Sequence, residues 1–369
     1  MINMKIAILG IRGIPARYGG FETCAEKIAE YLGKKGHKIF VPCRKYLYPD
    51  KPLPGDNIQV CFPFCIRGKI TETFSHTFFS MLKTIIWSPD VILLFNAANS
   101  PLAIFGKIYG KKFVINVDGF EWKRQKWGFC GKTYFKFASC FSTFIADSIV
   151  ADSHKIAEYY DSRFHKKSVY IPYGADIFYS KSPEIIKSMG LQPKTYFFNG
   201  SRLEPENNQE LMIKEFQLAN INNVLAISGD IRKKNSYVKN ILNIASQQIK
   251  FTGPVYEKKA YLELQANSLA YIHGNEVGGT NPALLSAMGC GALILALDVP
   301  FNREVLGDCG LYFTKKSGSL ANLIKQMVES PEKFSSLGDK ARERVKQFYR
   351  WDDVIQKYEQ LLISVENNG

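Results

Sequence analysis

Short apolar runs alternate with stretches of helical, amphipathic periodicity along the whole chain. Apolar runs bounded by turn residues predict buried strands, because strands of a parallel sheet are covered on both faces. The predicted strands of the first half are Lys5–Leu9, Lys38–Cys43, Val91–Phe95, Phe113–Val117, Ser148–Ala151 and Val169–Ile171. Those of the second half are Tyr196–Asn199, Val224–Ser228, Ile249–Phe251, Ala270–His273 and Ala292–Leu295.

Helices are predicted between most of these strands. Thr23–Lys35 has apolar residues at helical spacing and ends before Gly36. The last stretch, Ala341–Val365, is predicted as a pair of amphipathic helices with a break near Trp351. The alternation predicts an α/β protein with two parallel sheets, each covered by helices on both faces. The polar stretch Ser180–Pro193 is the predicted linker between them.

Length and composition favour two domains of an ordinary globular protein. The chain has 369 residues, of which 46% are hydrophobic and 22% are charged, and this balance argues against disorder. Its eight cysteines are scattered, and Cys61 and Cys65 lack a second His/Cys pair at zinc-binding spacing. We therefore expect buried thiols and a reducing compartment.

Neither a signal peptide nor a membrane span is predicted. The chain enters a strand almost at once, and no apolar run reaches the roughly 18 residues that a bilayer span needs. These features predict a cytoplasmic protein and leave attachment to a membrane surface open.

Charge is distributed unevenly along the chain. Residues 1–170 hold 25 Lys and Arg against 13 Asp and Glu, out of 48 and 34 in the whole chain. The remainder is therefore nearly neutral. A basic first half favours an anionic partner, for which nucleic acid and anionic lipid headgroups both qualify.

Cations and aromatic rings are interleaved over residues 122–137. Such a mixture is typical of a membrane interface, where rings lie at headgroup depth and Lys and Arg meet phosphate. It is equally compatible with single-stranded nucleic acid, or with a solvated helix face above core aromatics. Because no stretch resembles a base-reading module, nucleic acid is the least favoured partner.

Two Gly-rich turns follow predicted strands and enter predicted helices. One spans residues 10–23 and the other residues 274–289. A helix start behind such a turn offers backbone N–H groups and a positive dipole end to an anionic ligand. One turn in each half suggests a ligand held between two domains. Since neither turn has the Gly-x-Gly-x-x-Gly spacing or a Walker loop, an NAD enzyme is disfavoured.

Residues 13–23, with the sequence GIPARYGGFET, resemble the opening of bacterial rhamnosyltransferases of capsule and cell-wall polysaccharide assembly. This group is a branch of the family 4 glycosyltransferases. Further similar motifs are VDGFEWKR at 117–124, ADS at 151–153, PYGAD at 172–176, GSRLEPENN at 200–208 and GGTNP at 278–282. The resemblance extends over nearly the whole chain.

The resemblance implies a GT-B fold, with two Rossmann-like, doubly wound domains facing a cleft. The N-terminal, acceptor-side domain is expected at 1–179 and the nucleotide-sugar-binding domain at 180–350. A C-terminal helix at about 351–369 is expected to cross back to the N-terminal domain, and the break near Trp351 fits that crossing.

The resemblance also implies a hexosyltransferase that retains anomeric configuration and uses neither metal nor cofactor. The expected donor is a nucleotide sugar, dTDP-rhamnose first and a UDP- or GDP-sugar as the alternative. The expected acceptor is a lipid-linked oligosaccharide at the inner face of the cell membrane, which the enzyme would join as a peripheral protein. The chain agrees with metal independence in having no Asp-x-Asp triplet.

Site residues are carried over by motif position. The expected catalytic residues are Asp118, Arg202 and Glu276, with Arg202 stabilising the leaving diphosphate and Asp118 orienting the acceptor hydroxyl or acting as base. The expected acceptor-side residues are Arg17, Glu121 and Arg124. The expected donor-binding residues are Gly19, Gly20, Arg202, Glu206, Gly278, Gly279, Thr280, Asn281 and Ser286.

The chain departs from the wider family at two places. Glu206 and Asn207 stand where the family often has a lysine, for which Lys258 or Arg12 could substitute. Gly278 and Ser286 stand where the family has a pair of glutamates. Glu276 is then the nearest carboxylate, and a catalytically impaired nucleotide-sugar-binding protein becomes the second hypothesis.

Three histidines have simpler interpretations. His154 is expected to begin a helix, and His37 is expected to be a solvated turn residue. His273 ends a predicted strand beside the second Gly-rich turn, where either a core role or a sugar contact is compatible with the sequence.

Overall fold

Two units divide the chain in the computed structural model, which describes residues 3–17, 19–49, 55–68, 71–232 and 235–367. The first unit contains the chain up to Lys123, the stretch Trp127–Tyr173 and the residues from Trp351 onward. The second unit contains Arg124–Lys126 and Gly174–Arg350. Each unit has its own parallel sheet.

The described part of the first unit has a seven-stranded sheet in the order β3-β2-β1-β4-β5-β6-β7. All neighbouring strands are parallel. Its strands are β1 Lys5–Leu9, β2 Lys38–Pro42, β3 Ile58–Cys61, β4 Val91–Phe95, β5 Lys112–Asn116, β6 Ser148–Ala151 and β7 Val169–Tyr170. The central strand β4 is buried along its whole length, as its uninterrupted apolar sequence requires.

Helices of the first unit connect these strands. They are α1 Gly20–Lys34, α2 Thr71–Trp87, α3 Ala103–Ile108, α4 Phe129–Ile145 and α5 His154–Phe164, with short 3₁₀ turns at Lys45–Leu47, Ala97–Leu102 and Glu121–Lys123. His154 begins α5, as predicted, and the Ser153 hydroxyl caps this helix by accepting from the Ile156 N–H at 3.3 Å.

The described part of the second unit has a six-stranded parallel sheet in the order β10-β9-β8-β11-β12-β13. Its strands are β8 Tyr196–Gly200, β9 Val224–Ser228, β10 Ile249–Gly253, β11 Ala270–His273, β12 Ile294–Leu297 and β13 Leu311–Phe313. Its helices are α6 Glu184–Ser188, α7 Gln209–Ala219, α8 Ser236–Ile244, α9 Lys258–Asn267, α10 Pro282–Gly289, α11 Pro300–Leu306, α12 Ser319–Glu329 and α13 Ser335–Phe348, with 3₁₀ turns at Pro205–Asn207 and Pro331–Phe334.

The last helix, α14 Trp351–Asn367, returns to the first unit and packs on α1 and β5. The Asn116 side chain donates to the buried Tyr358 hydroxyl at 2.7 Å, and Lys35 Nζ lies 2.6 Å from the Glu359 carboxylate. The predicted helix pair is confirmed, with its break at residues 349–350.

The structure corrects several predictions. Strand β12 starts two residues later than predicted, because the Ala292 N–H still bonds to the Ala287 carbonyl at the end of α10. Strands β3 and β13 were not predicted, since one is only half-buried and the other has three residues. The predicted linker Ser180–Pro193 contains the short helix α6.

The prediction for His37 was wrong. This residue is buried, and its Nδ1 accepts from the Met4 N–H at 3.2 Å. Its Nε2 lies 3.5 Å from the Glu359 carboxylate on α14. A residue distant in sequence therefore covers a turn that local pattern places in solvent.

Among the residues that the structure describes, no helix is long and apolar enough to span a membrane. Cys24, Cys43, Cys290 and Cys309 are buried as expected, whereas Cys130 is exposed.

Candidate functional site

The strand order of the second unit has a switch point between β8 and β11. The chain runs from β8 outward through β9 to β10, and then returns to the other side of β8 as β11. In parallel α/β sheets, ligands bind outside the carboxyl ends of the strands at such a point. The loops after β8 and β11 are therefore where a ligand is expected, and both carry residues singled out from the sequence.

The loop after β8 contains a cluster of charged side chains. Arg202 Nη1 lies 3.8 Å from Glu204 Oε1. Arg124 Nη1 lies 3.5 Å from Glu206 Oε1 and 4.0 Å from Glu204 Oε2. The structure thus brings together three of the predicted residues, Arg124, Arg202 and Glu206, and adds Glu204. We call these four residues the charged cluster.

Glu206 is the most deeply buried member of the charged cluster, with 1% of its surface exposed. Neither of its carboxylate oxygens has a hydrogen-bond partner among the described residues. A buried carboxylate is costly without compensation, so the nearby Arg124 guanidinium is the group that balances its charge. Its two oxygens therefore have acceptor capacity that the described residues leave unused.

The loop after β11 is joined to the charged cluster through the backbone. The Glu276 N–H donates to the Glu206 carbonyl at 3.1 Å, and the Asn208 side chain donates to the Gly274 carbonyl at 2.8 Å. A Cβ on Gly274 would lie 2.7 Å from the Asn207 carbonyl oxygen, so this close approach needs glycine. The two loops therefore form one platform.

Glu276 is not an isolated carboxylate. Its Oε2 forms an ion pair with Lys315 Nζ, and this lysine follows β13. The platform therefore carries a third cation, besides Arg124 and Arg202, that sequence reasoning missed. Lys315 was hard to recognise from the sequence, because β13 is too short to be predicted and Lys315 is one of two adjacent lysines after it.

The turn of residues 278–281 leads into α10. Gly278 has a φ of 151°, in a region where side chains are strained, and Gly279 and Thr280 are buried. The Asn281 side chain caps α10 by accepting from the Ala283 N–H at 2.9 Å. The turn can present backbone N–H groups and the helix start to an anion.

Ser286 lies on α10 and is already hydrogen-bonded. Its hydroxyl donates to Gln265 Oε1 at 2.6 Å, and Gln265 Nε2 donates to the Ala283 carbonyl at 3.0 Å. Because a hydroxyl has one proton and two lone pairs, Ser286 can still accept from a ligand hydroxyl.

Two other residues named from the sequence are explained by burial or by a charge in the second unit. His273 is fully buried, and burial lowers its pKa to about 3, so the ring is neutral and part of the core. Lys258 Nζ lies 2.8 Å from the Asp176 carboxylate. Lys258 therefore neutralises an acidic residue of its own unit.

In the first unit, the Glu22 side chain packs against the Gly-rich turn before α1. The Glu22 carboxylate accepts from the Arg12 N–H at 3.1 Å, and a Cβ on Gly19 would lie 2.4 Å from its Oε2. Burial raises the pKa of Glu22. Hydrogen bonds from the Glu22 and Arg12 N–H groups and the charges of Arg12 and Arg44 lower it by a smaller amount. The helix start at Gly20 is thus already next to a carboxylate. Tyr18 of the same motif lies outside the described residues.

Arg17 stacks over an aromatic ring in this turn. Its guanidinium carbon lies 5.0 Å from the Tyr48 ring centroid, and the Tyr48 hydroxyl donates to the Pro15 carbonyl at 2.9 Å. Nearby lies a polar cavity of about 380 Å³ that the sequence did not reveal. It is lined by Arg12, Arg44, Tyr46, Leu47, Gly68, Glu72 and Thr73.

Asp118 follows β5 in a left-handed conformation, with a φ of 62°. Its N–H donates to Asn116 Oδ1 at 3.2 Å. Burial of Tyr160 and Tyr173 is the main cause that raises the pKa of each tyrosine, and the Asp118 charge raises it further. Glu121 Oε2 accepts from the Trp127 indole N–H at 3.2 Å. Asp118 and Glu121 thus belong to the first unit, whereas Arg124 belongs to the charged cluster of the second.

A second open groove, of about 600 Å³, lies beside the charged cluster in the second unit. It lies between α7, α8 and the loop after β8. It is lined by Gln125, Pro205, Asn208, Glu210, Leu211, Lys214, Ser236, Tyr237 and Asn240.

Comparison with known proteins identifies the second unit. Residues 181–344 match the family described as Glycosyl transferases group 1. Residues 3–50 and 86–176 match a family described as Domain of unknown function (DUF1972). A comparison with curated proteins finds no match.

Solved structures share the fold over nearly the whole chain. HepE of Anabaena in complex with UDP has a TM-score of 0.75 at 19% identity, covering 98% of this chain and 100% of that one. Sucrose-phosphate synthase of Thermosynechococcus elongatus has a TM-score of 0.81 at 15% identity, covering 100% of both chains. A glycosyltransferase of Rickettsia africae has a TM-score of 0.72 at 13% identity, covering 100% of this chain and 99% of that one.

Two Rossmann-like parallel-sheet units and these relatives define the GT-B class, so the predicted fold is confirmed. Within this class, residues 181–344 are a glycosyl transferases group 1 domain, and the chain is a glycosyltransferase of the group 1 type.

Proposed function

We propose that the chain transfers L-rhamnose from dTDP-rhamnose to a lipid-linked oligosaccharide, with retention of configuration, during assembly of a cell-surface polysaccharide such as a capsule. The resemblance of residues 13–23 and 117–124 to the rhamnosyltransferase branch supports the sugar and the acceptor. The observation that carries nucleotide-sugar binding is the platform at the switch point between β8 and β11.

The leaving group dictates what the platform must do. In the transfer, the bond between the sugar C1 and the diphosphate oxygen breaks, and a bond from C1 to the acceptor oxygen forms on the same face. The acceptor proton passes to the departing diphosphate. Arg202 and Lys315, with the N–H groups of residues 278–280, are the groups we assign to the charge that develops on that diphosphate. This assignment requires neither metal nor cofactor.

We assign the acceptor to the first unit. Asp118 and Glu121 supply carboxylates that can orient an acceptor hydroxyl, and Arg17 supplies a cation in the same unit. Gly19 and Gly20 are proposed instead to bind the donor, and a Cβ on Gly19 would lie 2.4 Å from Glu22 Oε2. Arg124 acts instead through Glu206, because it is the cation next to that buried carboxylate.

The enzyme is proposed to work at the cytoplasmic face of the cell membrane, since a lipid-linked acceptor is held there. The basic charge of residues 1–170 supports an anionic surface as a partner. Nucleic acid is not proposed as a partner.

A second candidate is the same reaction with a UDP-sugar. The observation that favours it is the pair of similar HepE structures that hold UDP and UDP-glucose. A third candidate is a nucleotide-sugar-binding protein with little turnover, and it is favoured by Gly278 and Ser286 at the positions of two family glutamates.

A donor panel tests these candidates. The purified chain is incubated with dTDP-, UDP- and GDP-sugars and a synthetic lipid-diphosphate disaccharide, and nucleotide release and product mass are measured. We expect dTDP release from dTDP-rhamnose alone, with a product heavier by one deoxyhexose, and unchanged rates in EDTA. Turnover of a UDP- or GDP-sugar would overturn the rhamnose assignment. Nucleotide-sugar binding without any turnover would favour the binding protein.

A further inference from the structure

Three helices of the first unit bury mainly small or polar side chains. The side chains that α2 buries include His76, Thr77, Ser80 and Thr84. Those that α3 buries are Ala103 and Gly106, and those that α4 buries are Ala138, Ser139, Ser142 and Thr143. A helix facing water normally buries its large apolar residues and exposes its polar ones.

Large apolar side chains lie on the outer faces of these helices instead. Ile86 on α2 is 84% exposed, Ile108 on α3 is 72% exposed and Phe144 on α4 is 80% exposed. Phe137 precedes Phe144 by two helical turns and is about half exposed. Contiguous exposure on this scale is characteristic of an interaction surface.

Ring contacts connect the part of this surface that lies on α2 and α3. Phe64, before α2, contacts Phe79 with ring centroids 5.3 Å apart, and Phe79 contacts Phe78 at 5.3 Å. Phe78 in turn contacts Phe105 of α3 at 5.3 Å. We call the outward side of α2, α3 and α4, with Phe64, the reversed face.

The charged residues on these three helices are mostly positive. The lysines are Lys83, Lys107, Lys132 and Lys136, whereas the acidic residue is Glu72 in the first turn of α2. Lys83 and Lys136 are exposed, and Lys107 is paired with Asp147 at 2.6 Å. Apolar side chains with lysines among them fit a surface that is apolar inside and anionic at its boundary.

We propose that the reversed face docks on an anionic lipid bilayer, with Ile86, Ile108 and Phe144 inserted below the headgroups and the lysines at phosphate depth. The biological use of this docking rests on the proposed lipid-linked acceptor, but the docking itself does not. A second copy of the chain fits less well, because a symmetric contact through this face would place lysines opposite lysines.

Vesicle binding tests the docking without donor or acceptor. The full chain is sedimented with phosphatidylcholine vesicles that contain or lack phosphatidylglycerol, at low and high salt. We expect binding to the anionic vesicles, weakened by salt. The variant Ile108→Glu/Phe144→Glu should bind on the order of tenfold more weakly or worse, because it places two carboxylates in the insertion depth.

Phe348→Glu is the matched control, since Phe348 is a similarly exposed phenylalanine on α13 of the second unit. We expect it to sediment like the original chain, and all variants to keep the same thermal unfolding midpoint. Equal vesicle binding by the Ile108→Glu/Phe144→Glu variant would overturn the proposal. So would a dimer, seen by light scattering, that this variant converts to a monomer without any vesicle binding.

Transfer to a water-soluble acceptor separates this proposal from the proposed function. The Ile108→Glu/Phe144→Glu variant should retain transfer to a short-chain acceptor and lose transfer to the same saccharide on a vesicle-embedded lipid. If the original chain binds anionic vesicles but transfers no sugar, the function fails while the docking stands. If transfer proceeds without any vesicle binding, the docking fails.

Discussion

Arg124 Nη1 lies 3.5 Å from Oε1 of Glu206, across 82 residues of sequence. The arginine is flanked in sequence by residues of the first unit, yet it packs in the second, where it meets a buried carboxylate. The pair therefore fixes the segment Arg124–Lys126 on the platform of the second unit. Two residues chosen independently from the sequence prove to be partners.

Removing Arg124 should destabilise the chain. In Arg124→Met, the Glu206 carboxylate stays buried without its balancing charge, and we expect a loss of about 3 kcal/mol in the free energy of unfolding. Chemical denaturation measures this loss from the unfolding transition of the second unit. The double variant Arg124→Met/Glu206→Gln should recover most of the loss, and equal stability of the single and double variants would contradict this role.

Lys315 should contribute to nucleotide binding. In Lys315→Met, the cation next to Glu276 is lost, so the platform gains net negative charge and a diphosphate is repelled. We expect affinity for dTDP, measured by calorimetry, to fall on the order of tenfold. Lys316→Met is the matched control, as its neighbour in the same turn, and should bind like the original chain. Equal effects of the two variants would point to a general charge effect.

Ser286 should contact the ligand only as an acceptor, since its proton is donated to Gln265. Ser286→Ala then lowers nucleotide affinity by a factor of a few, and Ser286→Glu raises it by restoring a carboxylate of the family pattern. Titration with dTDP and UDP measures both. A gain in turnover as well as affinity in Ser286→Glu identifies a weakened enzyme, whereas an inert variant identifies a binding protein.

Glu263 should make stability depend on acid pH. Burial by itself raises the pKa of Glu263, but bonds from Ser180, the Lys181 and Ser182 N–H groups and Asn267 outweigh it and hold the pKa below its ordinary value. A group with a lowered folded-state pKa contributes stability above its unfolded pKa and loses it as pH falls through the folded value.

The contribution is therefore present at neutral pH and disappears below about pH 4.5, the ordinary value for glutamate. Unfolding midpoints of Glu263→Gln across this range should be lower than those of the original chain at neutral pH and should converge with them in acid. Glu257→Gln, just before the same helix, is the control. Parallel curves for Glu263→Gln and the original chain would contradict the prediction.

The sequence predicts best where structure is set locally. Val91–Phe95 and Val224–Ser228 were predicted to the residue, because continuous apolar runs between turns have no alternative in a parallel sheet. Strand β13 was missed because three residues carry too little pattern. The same omission hid Lys315, whose place beside Glu276 depends on that strand.

Contacts between distant segments account for the other differences between the predicted and the observed structure. His37 follows a glycine in a turn, and in the folded chain it lies against Glu359 of α14, a residue distant in sequence. The Gly-rich turns and Arg202 were placed by motif, whereas the pairing of Arg124 with Glu206 depends on packing that no local spacing encodes. The reversed face was indicated only in part, because residues 122–137 were singled out for their mixture of cations and aromatic rings, whereas the exposed residues of α2 and α3 were not.

The return of α14 to the first unit has a consequence for synthesis on the ribosome. The helix that supplies Tyr358 to Asn116 and Glu359 to Lys35 is translated only after every residue of the second unit. All residues of the second unit are therefore synthesised before the first unit receives the helix whose Glu359 lies against His37. The unit whose synthesis begins first is therefore the last to have all of its residues, which departs from the simple N-terminal-first order of domain folding during synthesis.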